Sequence, residues 1–183
     1  NEKKIVLNFL KELEKNKTKD LKKIISKYVS KNFHMRCTHP FNELYGVEET
    51  AKNLWSPIKK SFSPTQRRLD IFYAGTNSLN NDNDVWVSSM GHFLGIFNNN
   101  FFGIKSNHKP ALLRFAEFYK VKNNKITEGA FFLDIFNFMQ QLGLSVIPES
   151  TGLVCVTPGP MNHKGLKFEK TNESEGVKTL NLI

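Results

Sequence analysis

Among the side chains between Gly91 and Gly143 that can carry a proton or a charge, three are the candidates for chemistry among large apolar residues. They are His92, Arg114 and Asp134. Titratable groups surrounded by apolar side chains are typical of a closed small-molecule pocket. We therefore expect a pocket in this part of the chain, with these three residues as its catalytic groups.

Asp134 stands where a predicted strand passes into a predicted helix. If it is buried against Phe131, Phe132 and Phe136, its carboxyl can hold and deliver a proton near neutral pH. The other interpretation is a helix N-cap, the commonest function of an aspartate that precedes a helical pattern. The residues alone leave both interpretations open.

His92 lies in a predicted strand between Gly91 and Gly95, and glycines in a strand often mark a bulge or a bend. A bent strand can aim the imidazole into a pocket. By strand alternation, His92 shares its face with Trp86 and Met90, which suits a pocket wall. A satisfied core histidine is the alternative, because buried histidines are commonly structural.

Arg114 shares a strand face with Phe118, whereas Glu117 faces the other way. An inward arginine among apolar neighbours requires a carboxylate partner or an anionic ligand. Asp134, Glu128 or a substrate carboxylate can serve. Two interpretations of Arg114 therefore remain: it forms a structural ion pair, or it orients the substrate.

The histidines and the cysteine in FHMRCTHP (33–40) do not fit the spacing of a zinc site, and no second cluster completes one. We predict no metal. His34 or His39 can still reach the mouth of a pocket. Aromatic and apolar residues near the catalytic groups complete the predicted substrate-binding set, which is Trp55, Tyr73, Trp86, Met90, Phe118, Phe132 and His34.

The composition predicts one globular domain, because 183 residues with 39% hydrophobic residues and 16 Phe can form a substantial core. No run of 18 apolar residues occurs, so we predict no membrane span. The two cysteines, Cys37 and Cys155, belong to no paired framework. This favours a reducing compartment, and we predict a cytoplasmic location.

The formal net charge of +9 raises the question of nucleic-acid binding. Residues 1–31 carry ten Lys and four acidic residues, but the lysines are spread around the outer faces of two predicted helices. No standard nucleic-acid motif is present. We predict a solvated basic surface and no nucleic-acid partner.

Hydrophobic spacing predicts helices over residues 2–15 and 18–28, the second capped by Thr18 or Asp20. A third helix is predicted over 47–60, and Pro57 should end or kink it near Trp55. A strand period begins at Gln66 and continues through two hairpins, with a polar loop at 76–84 and a tight connection at 122–124. Asp134 then starts a helix that ends at Gly143. Helices followed by long strands indicate an α+β fold.

The C-terminal part is predicted to differ from this domain. Residues 148–165 are rich in Pro and Gly and are predicted to be an extended arm, and residues 167–178 to be a polar linker. The last residues, TLNLI, look like the opening of another element. We therefore predict a domain over 1–147 and an arm or linker over 148–183 that leads to a second, similar domain.

Several segments in order resemble the SnoaL-like polyketide cyclases, within the wider superfamily shaped like nuclear transport factor. The resemblance covers the chain from about Phe33 to Gly165. Its segments are HPFNELYGVEE, RRLDIFYAG, VWVSSMGHFLGIF, FFGIKSNHKPALLRFAEFYKV, KITEGAFFLDIFNFMQQLGLSVIP and STGLVCVTPGPMNHKG.

The resemblance implies a cone-shaped, cystatin-like fold, in which a strongly curved antiparallel sheet wraps around N-terminal helices and encloses a pocket. It also implies ring closure by aldol condensation without a cofactor, with Asp134 as the general acid/base. We expect catalysis of the cyclase, isomerase or dehydratase type on a small hydrophobic carbonyl compound. The alternatives are a non-catalytic pocket for a lipophilic ligand and an interaction domain, with a homodimer or a tandem-domain pair as the assembly.

Overall fold

The computed structural model describes residues 1–77, 84–144, 148, 159–170 and 172–182. It confirms the predicted α+β class, with N-terminal helices packed against a curved, unclosed sheet. The helices are α1 (Glu2–Lys15), α2 (Leu21–Tyr28), α3 (Gly46–Glu49), α4 (Ser56–Ser61), α5 (Ile135–Gln141) and α6 (Glu173–Leu180). None of the described helices is long and apolar enough to span a bilayer.

Six strands form one sheet in the order β2-β1-β6-β5-β4-β3. Neighbouring strands are antiparallel, as predicted, except β1 and β6, which run parallel. The strands are β1 (Val29–Cys37), β2 (Glu43–Tyr45), β3 (Phe62–Thr76), β4 (Val85–Phe97), β5 (Pro110–Lys122) and β6 (Lys125–Leu133).

The two helices predicted at the start of the chain are confirmed as α1 and α2. In α1, Val6, Phe9, Leu10 and Leu13 are buried, as the helical spacing indicates. The ring centroid of Phe9 lies 5.7 Å from that of Tyr119 on β5, which brings α1 onto one face of the sheet. The predicted cap of α2 is not made, because Asp20 occupies the N-cap position without a side-chain hydrogen bond.

The third predicted helix differs from the expectation at Pro57. The chain is helical from α3 through π-helical turns at Thr50–Trp55 and on through α4, so Pro57 does not end it at Trp55. The wider π-helical turns change the hydrogen-bond register just before Ser56. Pro57, which lacks a backbone N–H, follows directly as the second residue of α4.

The long strands present two faces with different neighbours. The face that packs against the helices is called the inner face; it includes Val87, Ser89, Phe93, Leu113, Phe115, Glu117, Tyr119 and Phe131, all buried. Alternate residues form the outer face, which includes Trp86, Ser88, Met90, His92, Leu112, Arg114, Ala116, Phe118, Ala130 and Phe132. The described helices of the core pack on the inner face, yet most outer-face residues are half-buried, with Ser88 and His92 buried and Phe132 exposed.

The predicted irregularity at Gly91 is confirmed as a bulge in the strand beside it. Leu69 of β3 pairs with Gly91, but Ile71 pairs with Met90, so Asp70 is the extra residue. A Cβ on Gly91 would overlap the carbonyl oxygen of Arg68. Glycine is therefore required here for the close approach of β3 to β4.

Two other local predictions are confirmed. Asn123 and Asn124 both have positive φ, 51° and 59°, which makes a two-residue turn between β5 and β6. Gly143, with φ 74°, ends the helix that follows Asp134.

The C-terminal segment lies along the edge strand β3 as far as the described residues show. The Lys167 N–H donates to the carbonyl of Phe72 at 2.6 Å, and the ring of Phe168 lies 5.3 Å from that of Phe72. The polar linker predicted over 167–178 is wrong in its second half, because α6 starts at Glu173. The side chain of Asn172 caps α6 by accepting from Ser174 N at 3.2 Å, a local signal that outweighs the polar composition.

Most of the predicted loop at 76–84, Cys155 and residues 149–158 of the predicted arm lie outside the described residues. The division into a domain at 1–147 and an arm or linker at 148–183 stays a prediction.

Candidate functional site

A charged cluster fills the centre of the inner face. We call it the interior cluster; it consists of Arg67, Ser89, Glu117 and Tyr119, from β3, β4 and β5. Oε1 of Glu117 accepts from Nη1 of Arg67 and, at 2.6 Å, from Oγ of Ser89, while Oε2 accepts from Oη of Tyr119 at 2.8 Å. The side chain of Glu117 is 0% exposed and that of Arg67 5%. An ion pair this deep is tolerated only when its polar atoms are hydrogen-bonded.

Aromatic rings surround the arginine of this cluster. The guanidinium carbon of Arg67 lies 4.6 Å from the ring centroid of Phe93, 4.7 Å from Phe115 and 5.4 Å from Trp55. Cation–π attraction therefore adds to the ion pair in holding the buried charge. A cavity of about 30 Å³, lined in part by Arg67, Trp55 and Phe93, adjoins the cluster. That volume suits about one water molecule and no larger ligand.

Burial raises the pKa of Tyr119 well above that of an ordinary phenol, and the negative charge of Glu117 raises this pKa further. The phenol therefore stays protonated at neutral pH and donates its hydrogen to Glu117. The interior cluster fixes the spacing of three strands, but it leaves little space for a substrate.

A larger space lies where β6 ends. We call it the apolar cleft; its volume is 460 Å³, and it is lined by Thr38, His39 and Pro40, by Phe101, Phe102 and Ile104, and by Leu133, Ile135, Phe136 and Met139. This size and composition match those of small-molecule sites, which are mostly apolar with a few polar groups. His39 is the one ionisable side chain among these lining residues.

Asp134 stands between two residues that line the apolar cleft, Leu133 and Ile135. Its Oδ1 accepts from the Asn137 N–H at 3.0 Å, so the predicted N-cap of α5 is confirmed. Its own N–H donates to the carbonyl of Arg114 at 3.0 Å. The side chain is half-buried, and a proton-transfer function for it stays a prediction.

Replacing Asp134 with alanine should destabilise the protein by about 1 kcal/mol, because α5 loses its cap. Asp134→Asn should cost much less, since asparagine caps helices about as well as aspartate. Urea unfolding of both variants measures this difference. Equal losses for the two would show that the cap contributes little.

The structure places His92 and Arg114 on the outer face, not in the interior of the cone where the pocket was predicted. His92 is 8% exposed, and its Nδ1 donates to Oδ2 of Asp70 at 2.9 Å. Arg114 is half-buried and forms no ion pair with Asp134 among the described residues. Its other predicted partner, Glu128, pairs instead with Arg36 and Lys120. The three predicted catalytic groups therefore do not line one described cavity.

The predicted substrate-binding residues are divided among three places. Tyr73, Trp86, Met90, Phe118 and Phe132 lie on the outer face, with Tyr73 46% and Phe132 48% exposed. Trp55 lies inside, next to Arg67. His34 stacks on Tyr45 at the β1–β2 edge, with ring centroids 4.5 Å apart, and does not line the apolar cleft. The alternative prediction, that His39 reaches a pocket mouth, agrees with the structure.

Sequence reasoning missed the interior cluster. Its signal is the charge of Glu117 within the alternating apolar set Leu113, Phe115 and Tyr119 of β5. A carboxylate on a buried strand face requires donors from neighbouring strands. No local pattern identifies Arg67 as the main one, because it lies on a strand that is not adjacent to β5.

Cys37 on β1 carries a partly buried thiol. Burial raises its pKa to about 12. At pH about 8 its thiolate fraction is then about 10⁻⁴, and alkylation should be about a thousandfold slower than for an ordinary thiol. Iodoacetamide labelling of a Cys155→Ser variant, followed by mass spectrometry, measures this rate. Fast labelling of the folded protein would contradict the burial, and labelling in urea is the control.

The fold is that of the SnoaL-like polyketide cyclases and related NTF2-like proteins. IdmH of Streptomyces antibioticus, assigned as a polyketide cyclase, superposes with a TM-score of 0.62 at 11% identity, over 79% of this chain and 99% of its own. A protein of a Jannaschia species assigned as a SnoaL-like polyketide cyclase gives a TM-score of 0.59 at 12% identity, over 79% of this chain and 92% of its own. AclR of Streptomyces galilaeus, assigned as a hydroxylase, gives a TM-score of 0.62 at 17% identity, over 78% of this chain and 95% of its own.

These similarities are confined to structure. The sequence matches no family model and no curated protein. Since the similar structures carry different assigned activities at low identity, they show the fold and leave the chemistry to be inferred from this chain's own residues.

Proposed function

We propose that the protein binds a small hydrophobic carbonyl compound in the apolar cleft and transfers protons to and from it without a cofactor. The observation that carries this proposal is the cleft itself, which is 460 Å³ in volume, mostly apolar, and supplied with one imidazole. A ligand with an aromatic or aliphatic body would bury its apolar surface against Phe101, Phe136 and Met139.

The chemistry proposed for the cleft is enolisation. The imidazole of His39 accepts a proton from the carbon next to the carbonyl, and the electron pair moves onto the carbonyl oxygen. The enolate carbon then attacks a second carbonyl of the same molecule in a cyclase, or takes a proton at another position in an isomerase. Asp134, between two lining residues, is the second proton-transfer group, consistent with the position implied by the cyclase resemblance.

Binding can be tested with a naphthyl ketone whose fluorescence shifts to the blue in apolar surroundings. We expect saturable binding to the wild type and a loss of affinity of at least about tenfold in Met139→Trp, which fills the cleft. Met161→Trp is the matched control, because Met161 is 96% exposed and does not line the cleft. Equal affinities in the two variants would place the ligand elsewhere.

Proton transfer needs a separate test, because a cleft can bind without turnover. An aryl methyl ketone in deuterated water should lose its methyl proton signal faster with the wild type than with His39→Gln. Asp134→Asn should also be slower while keeping its helix cap. If both variants exchange as fast as the wild type and still bind the ketone, the acid/base mechanism is excluded and the cleft only binds its ligand.

A second candidate function is dimerisation through the outer face. It is favoured by exposed aromatic side chains there, of which Tyr73 and Phe132 are about half exposed. An exposed apolar sheet face is covered in many proteins by a partner. Sedimentation equilibrium should give a dimer for the wild type and a monomer for Phe132→Lys, whereas Phe102→Lys, on a different surface, should leave the dimer intact. A monomeric wild type would exclude this candidate.

A further inference from the structure

Three basic side chains stand in one row across the outer face. The row, called the cation row, is Arg68 on β3, His92 on β4 and Arg114 on β5. Arg68 pairs with His92 across one strand boundary, and His92 pairs with Arg114 across the next. Directly opposed residues in antiparallel strands have Cβ atoms about 5 Å apart on the same face. Two guanidinium groups therefore flank one imidazole.

Except for Nδ1 of His92, which is bonded to Asp70, the side-chain polar atoms of this row have no protein partner in the part of the chain that the structure describes. Nε2 of His92 is buried without a hydrogen bond. Neither guanidinium, of Arg68 or of Arg114, takes part in a hydrogen bond or an ion pair with a described residue. Buried polar atoms are satisfied in the great majority of cases, and Arg114, half-buried among apolar residues, requires an anion, whereas Arg68 is exposed. The row thus presents donors without acceptors.

The histidine is held in a fixed orientation. The bulge in β3 brings Asp70 to the outer face, where Oδ2 accepts from Nδ1 of His92 at 2.9 Å. The C-terminal segment supports Asp70 from the other side, since a Cβ on Gly159 would lie 2.8 Å from Oδ1 of that aspartate. With Nδ1 engaged, Nε2 is the ring atom left for a ligand, and a doubly protonated imidazole donates from it.

We propose that the cation row is a binding site for a small oxyanion, a phosphate or a carboxylate group, distinct from the apolar cleft. The planar guanidinium groups would each bind the oxyanion with two donors, and Nε2 of His92 would bind it from between them. The carboxylate of Asp70 stays on Nδ1 of His92. Asp134, next to Arg114 on the far side, directs its Oδ1 to the N–H of Asn137 and does not occupy the site.

Titration with inorganic phosphate at constant ionic strength tests this proposal. The nitrogen resonances of His92 should shift on phosphate addition, whereas those of His34 should not, because its Nε2 lies 3.4 Å from a Glu43 carboxylate oxygen that repels an anion. Arg68→Gln and Arg114→Gln should each weaken phosphate binding about tenfold, the loss of one charge-assisted pair. Lys105→Gln removes the same charge from an exposed position and should change affinity less than about twofold.

Titration with acetate separates the two ligand sources. Binding of phosphate alone identifies a phosphate ester as the ligand class, and binding of acetate at the same residues identifies a carboxylate. An unshifted His92 with both anions would overturn the proposal. So would equal weakening by Lys105→Gln and Arg114→Gln, because it would indicate general attraction to a basic protein. Urea unfolding of each variant confirms that it is folded.

Discussion

Glu117→Ala should destabilise the protein by about 4 kcal/mol, because it leaves Arg67 buried without its carboxylate. The same substitution leaves the hydroxyl groups of Ser89 and Tyr119 without an acceptor, because both donate to Glu117. A water molecule in the adjoining cavity of about 30 Å³ can accept hydrogen bonds but cannot replace the lost negative charge. Urea unfolding followed by tryptophan fluorescence measures the loss of stability.

The matched control replaces both charges. Arg67→Met combined with Glu117→Gln removes the buried ion pair and leaves no uncompensated charge, so it should cost less than Glu117→Ala alone. If the double variant is more stable than Glu117→Ala, the ion pair itself contributes little to folding, and the main cost comes from leaving one buried charge without its partner. A loss below about 1 kcal/mol for Glu117→Ala would show that Arg67 can reach solvent, contrary to the burial of its side chain.

Gly91→Ala should cost about 3 kcal/mol, because a methyl group there would overlap the backbone of Arg68. The obstacle is a carbonyl group in a paired strand, so the strands themselves must separate. Separation would also disturb the adjacent bulge and the bond from His92 to Asp70. The unfolding midpoint in urea and the histidine nitrogen spectrum measure the two consequences.

Gly75→Ala is the control for this substitution. Gly75 lies in the same strand pair, but a Cβ there would meet no atom within 4 Å. Its replacement should change stability by less than about 0.5 kcal/mol. If Gly91→Ala is as mild as Gly75→Ala, β3 and β4 are farther apart at the bulge than described.

Local patterns in the sequence predicted the elements well. The apolar spacing of α1, the paired asparagines before β6 and the cap at Asp134 each depend on residues close together in the chain. Such features follow from backbone geometry and nearest-neighbour hydrogen bonds. The π-helical turns before Pro57 and the short helix α6 were missed, because tertiary packing and one capping residue decide them.

The position of the site was harder to predict than the fold. Alternation correctly separated His92 and Arg114 from Glu117, but it does not tell which face of a strand meets the helices. Both faces of β4 and β5 carry aromatic residues, so hydrophobicity does not show which face packs against the helices. The partner of Glu117 comes from a strand 50 residues away, which no local pattern reports. His39 was recognised only as a residue able to reach a pocket mouth.

The placement of the ligand in the apolar cleft can be measured most directly through the methionine methyl groups. The chain has four methionines. Met139 lines the cleft, Met35 is in the core, Met90 is on the outer face and Met161 is exposed. In a carbon–proton NMR titration with the naphthyl ketone, the Met139 methyl resonance should move and the other three should stay within the change seen for Met161. If the Met90 methyl resonance moves and the Met139 resonance does not, the ligand binds at the outer face, which would contradict the proposed site.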